Sequence, residues 1–233
     1  MGARLIDVSR ATGIPRPSTH RLLAELGEAG LICRNSQRRY LPTGALFALG
    51  LNAPGPLRDR EAVRQVLQVL AQDCGAMVYL AIRVFGGVRY LLRMQGGEQL
   101  IRADIANVGD VLPFASTYAG TALMASMDDR AIQRYLHEST QLATDWREPG
   151  DWPAARAAVL EAIRAVREQG WCNTPGILPG LLGLAVRVPG PPGGPQLALS
   201  TINLEQCLPL SRQQILLPRF VEAAAQVADQ LIH

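Results

Sequence analysis

The sequence predicts an α+β chain in two units: a small helix-rich N-terminal unit, and a larger unit that mixes an antiparallel-type sheet with flanking helices. Three observations predict this. Two apolar-periodic stretches separated by Gly13 open the chain and are followed by two short strand-like runs around Asn35-Ser36-Gln37. A proline- and glycine-rich break, "NAPGP" at 52–56, then interrupts the pattern. Beyond it, β-rich runs meet around Gly86-Gly87 and again around "PGPPGGP", with helical periodicity between and after them.

The elements follow in order. "LIDVSRATG" is a short helix offering Leu5, Ile6, Val8 and Ala11 to a core, and Gly13 ends it because glycine accepts the left-handed conformation after a helix. Pro15 and Pro17 stand around the first turn of a second helix, which runs to about Ala29 and stops at Gly30. "LICR" and "RRYL" read as a hairpin, and "TGALFALG" as a third short helix. This places a first domain at 1–51, and a linker with a connecting helix, apolar at Leu57, Val63, Val66, Leu67 and Leu70, at 52–74. The remaining domain, 75–233, begins with the hairpin "MVYLAIRVFGGVRYLLRM". "EQLIRADI" is a candidate third strand, helices are expected at 119–125, 128–137 and 153–169, and "GLAVRVPGPPGGPQLALSTIN" holds two more strands. A C-terminal helix at about 211–231 has Ser211 as its candidate N-cap.

Composition excludes several classes. With 48% hydrophobic and 18% charged residues among 233, the chain is globular rather than disordered. No apolar run is long enough to span a bilayer, and Arg4, Asp7 and Arg10 interrupt the N-terminus before a signal peptide can build, so a cytoplasmic location and no membrane partner are expected. Cys33, Cys74, Cys172 and Cys207 lie far apart and form no CxxC pair, which argues for free thiols and against a structural zinc site. No metal or cofactor is expected.

Charge is unevenly placed. Residues 1–51 carry seven arginines against Asp7, Glu25 and Glu28, a net of +4, while the whole chain is +3. A basic head on a nearly neutral body is the footprint of a module that binds a polyanion. The second helix, "RPSTHRLLAELGEA", has conflicting faces: Leu22, Leu23 and Leu26 want a core, while Arg16, Ser18, His20 and Arg21 crowd its first turns. Helix, tight turn and helix make a helix-turn-helix, whose second helix offers its N-terminal residues to base edges in the major groove. Arg16, Pro17, Ser18, His20 and Arg21 stand at that end, and Arg34, Arg38 and Arg39 on the following hairpin suit a wing touching backbone or minor groove. The plainer reading is an ordinary helix pair with a solvated arginine face.

The run "DVSRATGIPRPSTHRLLAELGEAGLICRNSQRRYLPTGALFALG" resembles the winged helix-turn-helix of the IclR family of bacterial transcription regulators. Ala11-Thr12-Gly13-Ile14-Pro15, Ser18, His20-Arg21-Leu22-Leu23, Leu26, Gly30, Tyr40-Leu41 and Leu49-Gly50 carry the match. It continues through "LAQDCG", "VYLAIRVFGGVRYLLR", "VGDVLPFASTYAGTALMA", "VREQGW" and "PGLLGLAVRVP". The resemblance implies a DNA-binding head joined to a larger GAF-like α/β effector domain with a mixed, mainly antiparallel sheet. It further implies homodimers or homotetramers, a double-stranded DNA operator of near two-fold symmetry, and a small-molecule effector, often an organic or aromatic acid linked to catabolism. The sequence departs from the family twice. The family has one more helix before the first helix here, so the head reads as lacking its first helix. Pro17 replaces a small polar residue, removing an N–H near the DNA-facing end.

Carried over from the family, the effector pocket falls at Tyr118, Ala119 and Gly120, where backbone N–H groups at a helix start would hold a carboxylate. Its walls fall at Ile101 and Leu112, which read equally well as core, and its polar contact falls near Asn173. On the closing strands it falls at Gly183, Ala198 and Ser200. Relatives that bind small keto acids carry cysteine and two serines there, so a less polar pocket for an aromatic or mostly apolar acid is expected. An enzyme is the rival class, but His137 and His233 are the only histidines of the second unit, and no nucleophile elbow, phosphate loop or metalloprotease motif is present. The reading is therefore an effector-modulated transcriptional regulator with no catalytic residues; the alternative is a ligand-sensing interaction module with a degenerate head.

Overall fold

Residues 2–52, 55–97, 106–142, 152–173 and 180–232 are described by a computed structural model, and the chain divides into two units at Gly55 and Pro56.

In the first unit α1 (Leu5–Thr12) and α2 (Arg16–Glu28) are followed by the antiparallel pair β1 (Ile32–Arg34) and β2 (Tyr40–Pro42), then by α3 (Gly44–Asn52). Gly13 ends α1 with a φ of +68°, the left-handed turn expected of it. Pro15 caps α2 and Pro17 lies in its first turn, where N–H groups have no intrahelical acceptor, so this proline costs the helix no ladder bond. The segment before α1 also pairs with the hairpin: Ala3 and Tyr40 exchange two backbone hydrogen bonds, at 3.1 and 2.8 Å. The unit's apolar surface is thinly covered. Leu23 is buried, but Leu22, Leu26, Leu46 and Leu49 are exposed and Phe47 is 70% exposed.

The second unit is built on a six-stranded sheet in the order β5-β4-β3-β8-β7-β6, comprising β3 (Met77–Val84), β4 (Gly87–Gln95), β5 (Val111–Leu112), β6 (Trp171–Cys172), β7 (Leu181–Arg187) and β8 (Leu197–Leu204). Every described pairing is antiparallel. Helices α4 (Arg60–Cys74) and α8 (Leu210–Ala228) cover one face, packing Val63, Leu67, Leu70, Leu216 and Phe220 on Val78, Leu80, Leu184 and Leu199. On the other face lie α5 (Tyr118–Met124), α6 (Asp129–Leu142) and α7 (Trp152–Gln169), with Leu123, Ile132 and Ile163 among the buried side chains. Such a two-sided sheet needs strands apolar on both faces, as "LLGLAV" and "LALSTI" are.

Two expectations change here. The stretch set apart as a connecting helix, 52–74, ends in α4, which is integral to the second unit because its apolar stripe is spent on the sheet. Pro209, not Ser211, precedes the C-terminal helix. The candidate strand 98–105 lies outside the described residues, while β5 and β6, two residues each, were not foreseen. Among the described residues no helix is long and apolar enough to cross a membrane.

Candidate nucleic-acid face and ligand cavity

The N-terminal end of α2 is fixed from beneath by Thr19. Its buried hydroxyl donates to Ile14 O and Pro15 O, both at 3.1 Å, and Ser9 Oγ on α1 donates to the same Ile14 O at 2.6 Å. With Thr19 and Leu23 turned inward at i, i+4 spacing, the helix leaves Arg16, Pro17, His20 and Arg21 exposed and Ser18 half-buried. Among the described residues Arg21 pairs only with Glu25, at the surface and at 3.6 Å, which holds it weakly.

The hairpin's arginines divide. Asn35 Oδ1 accepts the N–H groups of Gln37 and Arg39 at 3.0 and 2.9 Å, folding the loop tightly enough that Arg38 takes a φ of +58°. Arg38 is exposed at that tip. Arg34 lies 5.6 Å over the Tyr40 ring. Arg39 is half-buried and donates from Nη1 to Gly2 O at 2.8 Å, tying the N-terminal segment to the hairpin. All three are expected contacts to a polyanion, but Arg39 spends one of its donors on Gly2 O, which Arg34 and Arg38 do not.

In the second unit a small cavity lies between the sheet and the start of α5, lined by Tyr79, Tyr90, Ser116, Thr117, Tyr118 and Ser200 among others. A bulge builds it. Leu80 pairs with Leu92 and Ala81 with Tyr90, leaving Leu91 extra. The extra residue turns Tyr90 to the α5 face while Leu92 and Met94 stay on the other. Tyr79 and Tyr90 then meet edge to face, with centroids 5.2 Å apart. The Tyr90 hydroxyl bonds the Thr117 side chain, and burial pushes the phenol above its usual range, as it does for Tyr118, so both stay neutral. Arg93 pairs with Tyr79 in register, and its Nη1 donates to Asn107 Oδ1 at 2.8 Å and Ala106 O at 3.4 Å. The cavity measures about 20 Å³, room for a water rather than a ring.

Of the expected pocket residues, Tyr118 and Ser200 line this cavity. Leu112 is half-buried on the edge strand, and Ala119 and Ala198 are fully enclosed in the surrounding core. Ile101 lies outside the described residues. Two expectations are corrected. The Gly120 N–H is not open to an anion: Thr117 Oγ1 caps it at 2.9 Å, and α5 has only seven residues. Asn173 does not face the cavity. It donates to Gln213 Oε1 on α8 at 3.0 Å and accepts from Gln169 Nε2 at 3.0 Å, which commits it to the opposite face of the sheet. Gly183 is occupied from above by Tyr118, whose hydroxyl donates to Leu181 O at 3.2 Å. The residues missed were Tyr79, Tyr90 and Thr117. Alternation along β3 (Met77, Tyr79, Ala81) would have put Tyr79 on the α5 face, whereas Tyr90 depends on a bulge that no local pattern announces.

Among the described residues no group of three or more His, Cys, Asp or Glu side chains is placed to hold a metal. Residues 1–36 match the profile of the IclR helix-turn-helix domain, and residues 58–177 that of the bacterial transcriptional regulator IclR C-terminal domain. The Pca regulon regulatory protein of Pseudomonas putida is 26% identical over 229 residues, covering 97% of this chain and 77% of that protein. An IclR family transcriptional regulator from Brucella abortus superposes with a TM-score of 0.61 at 24% identity, over 99% of this chain and 85% of that one. An IclR homologue from Microbacterium hydrocarbonoxydans, solved in complex with 4-hydroxybenzoate, does so with a TM-score of 0.59 at 20% identity, over 99% and 91%. At such identities the superpositions establish the fold.

Proposed function

The chain belongs to the IclR family of bacterial transcriptional regulators, and we propose that it works in the cytoplasm as a non-enzymatic homo-oligomeric sensor, whose grip on a DNA operator is set by a small aromatic acid. The observation that carries the effector reading is the cavity itself. The Tyr79 and Tyr90 rings supply flat apolar walls, Ser200 lies on the lining with its hydroxyl, and Arg93 adds a cation on the same sheet face. An uncharged, mostly apolar surround with one adjacent cation suits a ring bearing a carboxylate, and a relative of the same fold has been solved with 4-hydroxybenzoate. The seat of the acid adjoins Tyr79, Tyr90 and Ser200 and needs more room than the cavity of about 20 Å³ offers; it is not the start of α5, whose Gly120 N–H is already capped.

In the head, Arg16, Ser18 and His20 read base edges, Arg21 and Arg38 neutralise phosphate, and Arg34 and Arg39 shape the wing. A two-fold operator requires two heads, and the exposed Leu46, Phe47 and Leu49 of α3 supply apolar surface for self-association.

Fluorescence anisotropy on duplex from the intergenic region beside the gene tests this reading. Salt-dependent binding that 4-hydroxybenzoate or a related aromatic acid changes several-fold supports it. Absence of duplex binding at low salt, with calorimetric binding of the acid intact, favours a sensing module with a degenerate head; the thin core of the first unit is the observation behind that second reading.

A further inference from the structure

Strand β7 is buried on both faces, yet it carries a glycine in its middle, where a β-branched residue would pack best. The space above Gly183 is filled from another element. A Cβ on Gly183 would lie 2.6 Å from Cγ and Cε2 of Tyr118, so the phenol ring is laid directly on the strand backbone. Its hydroxyl reaches along the strand to donate to Leu181 O at 3.2 Å. The ring has a backbone floor beneath it, an apolar surround and an acceptor at its para position. A phenolic guest would be bound by the same three features. The other side of the ring lines the cavity with Tyr79, Tyr90 and Ser200, which has room for little more than a water.

We infer that Tyr118 is the cavity's own occupant: its phenol sits on Gly183 in the space that a single-ring ligand takes once that side chain is turned out or removed. The inference rests on the effector reading above and goes beyond it, because it makes Tyr118 and Gly183 a matched pair that sets which ligands enter and how tightly. A ligand competes with a tethered phenol, so its apparent affinity is lowered by the fraction of molecules in which the ring is seated. Removing the ring removes the competitor and leaves a hole shaped like the lost group.

The test uses Tyr118→Ala and Tyr118→Phe in the full chain, with p-cresol as the probe for the vacated space and 4-hydroxybenzoate as the acid. Calorimetry is expected to show p-cresol binding to Tyr118→Ala but not to the wild type or to Tyr118→Phe, which keeps the ring. Affinity for 4-hydroxybenzoate is expected to rise tenfold or more in Tyr118→Ala. In wild-type protein labelled with 3-fluorotyrosine, the fluorine resonance absent from Tyr118→Phe marks the ring; it is expected to move on saturation with the acid, a readout independent of whether Tyr118→Ala folds. A folded Tyr118→Ala that takes no p-cresol overturns the inference, as does a Tyr118 resonance unmoved by bound acid. Binding of p-cresol by Tyr118→Ala with no variant binding the acid leaves self-occupancy standing and removes the effector reading instead.

Discussion

Arg21 and Arg39 both contribute to the positive charge of the head, and they are not interchangeable. Arg21 is 78% exposed and, among the described residues, held only by Glu25, so its charge is available to a phosphate. Replacing it with alanine is expected to weaken all duplexes alike and to reduce the slope of log K against log salt by about one. Arg39 instead ties Gly2 to the hairpin. Arg39→Ala is expected to lower the melting temperature of the head while leaving the specific-to-random binding ratio of the folded fraction unchanged. Arg16, exposed at the first helical position, belongs to a third kind. Its loss is expected to cut discrimination between operator and random duplex by about 1–3 kcal/mol if it holds a guanine. A salt titration on operator and random duplex separates the three, and equal slopes for all three variants would remove the distinction. Sequence counts charges; burial and partners decide which of them a ligand meets.

At the scale of elements, α5 shows how short pieces are held by specific bonds rather than by propensity. Seven residues make barely two turns, too few to be stable alone. Thr117 supplies the cap for Gly120 and the partner for the Tyr90 hydroxyl, while Gly120 itself allows the close approach of Phe114 O. Thr117→Ala therefore removes a helix cap and leaves a buried phenol without its bond. A loss of about 1–2 kcal/mol is expected, read as a lower urea midpoint with an unchanged m-value; an unshifted midpoint would show that the cap carries no weight. The elements legible beforehand were those with strong local signals: the αL turn at Gly13, the hairpin at Gly86-Gly87 and the long amphipathic α4 and α8. Strands of two residues cannot display a period of two, which is why β5 and β6 escaped. The bulge at Leu91 is set by cross-strand pairing and the seat of Tyr118 by a glycine 65 positions away, so neither is written in a local window. The polar contact expected at Asn173 failed for a related reason: its partner, Gln213, lies on α8.

At the scale of the whole molecule, the proposed function requires that two compact units, joined by a short proline- and glycine-rich stretch, affect one another. Thermodynamics constrains that coupling without reference to its route. If the aromatic acid weakens operator binding tenfold, a coupling of about 1.4 kcal/mol, saturating operator must weaken acid binding by the same factor taken as the product over the acid sites of the oligomer, about threefold at each of two equivalent sites. Titrating 4-hydroxybenzoate into the protein alone and into the protein saturated with operator duplex gives the second factor, and anisotropy with and without the acid gives the first. The two, the second taken over all the acid sites, are expected to agree at the same salt and pH. Agreement in the wild type together with a smaller common factor in Tyr118→Ala would mean that the seated ring belongs to one of the two states the acid chooses between, since a ligand shifts an equilibrium only by its differential affinity for the states. Disagreement would mean that the acid acts on the duplex or on the ionic atmosphere and not through the protein, because no binding linkage permits the two factors to differ.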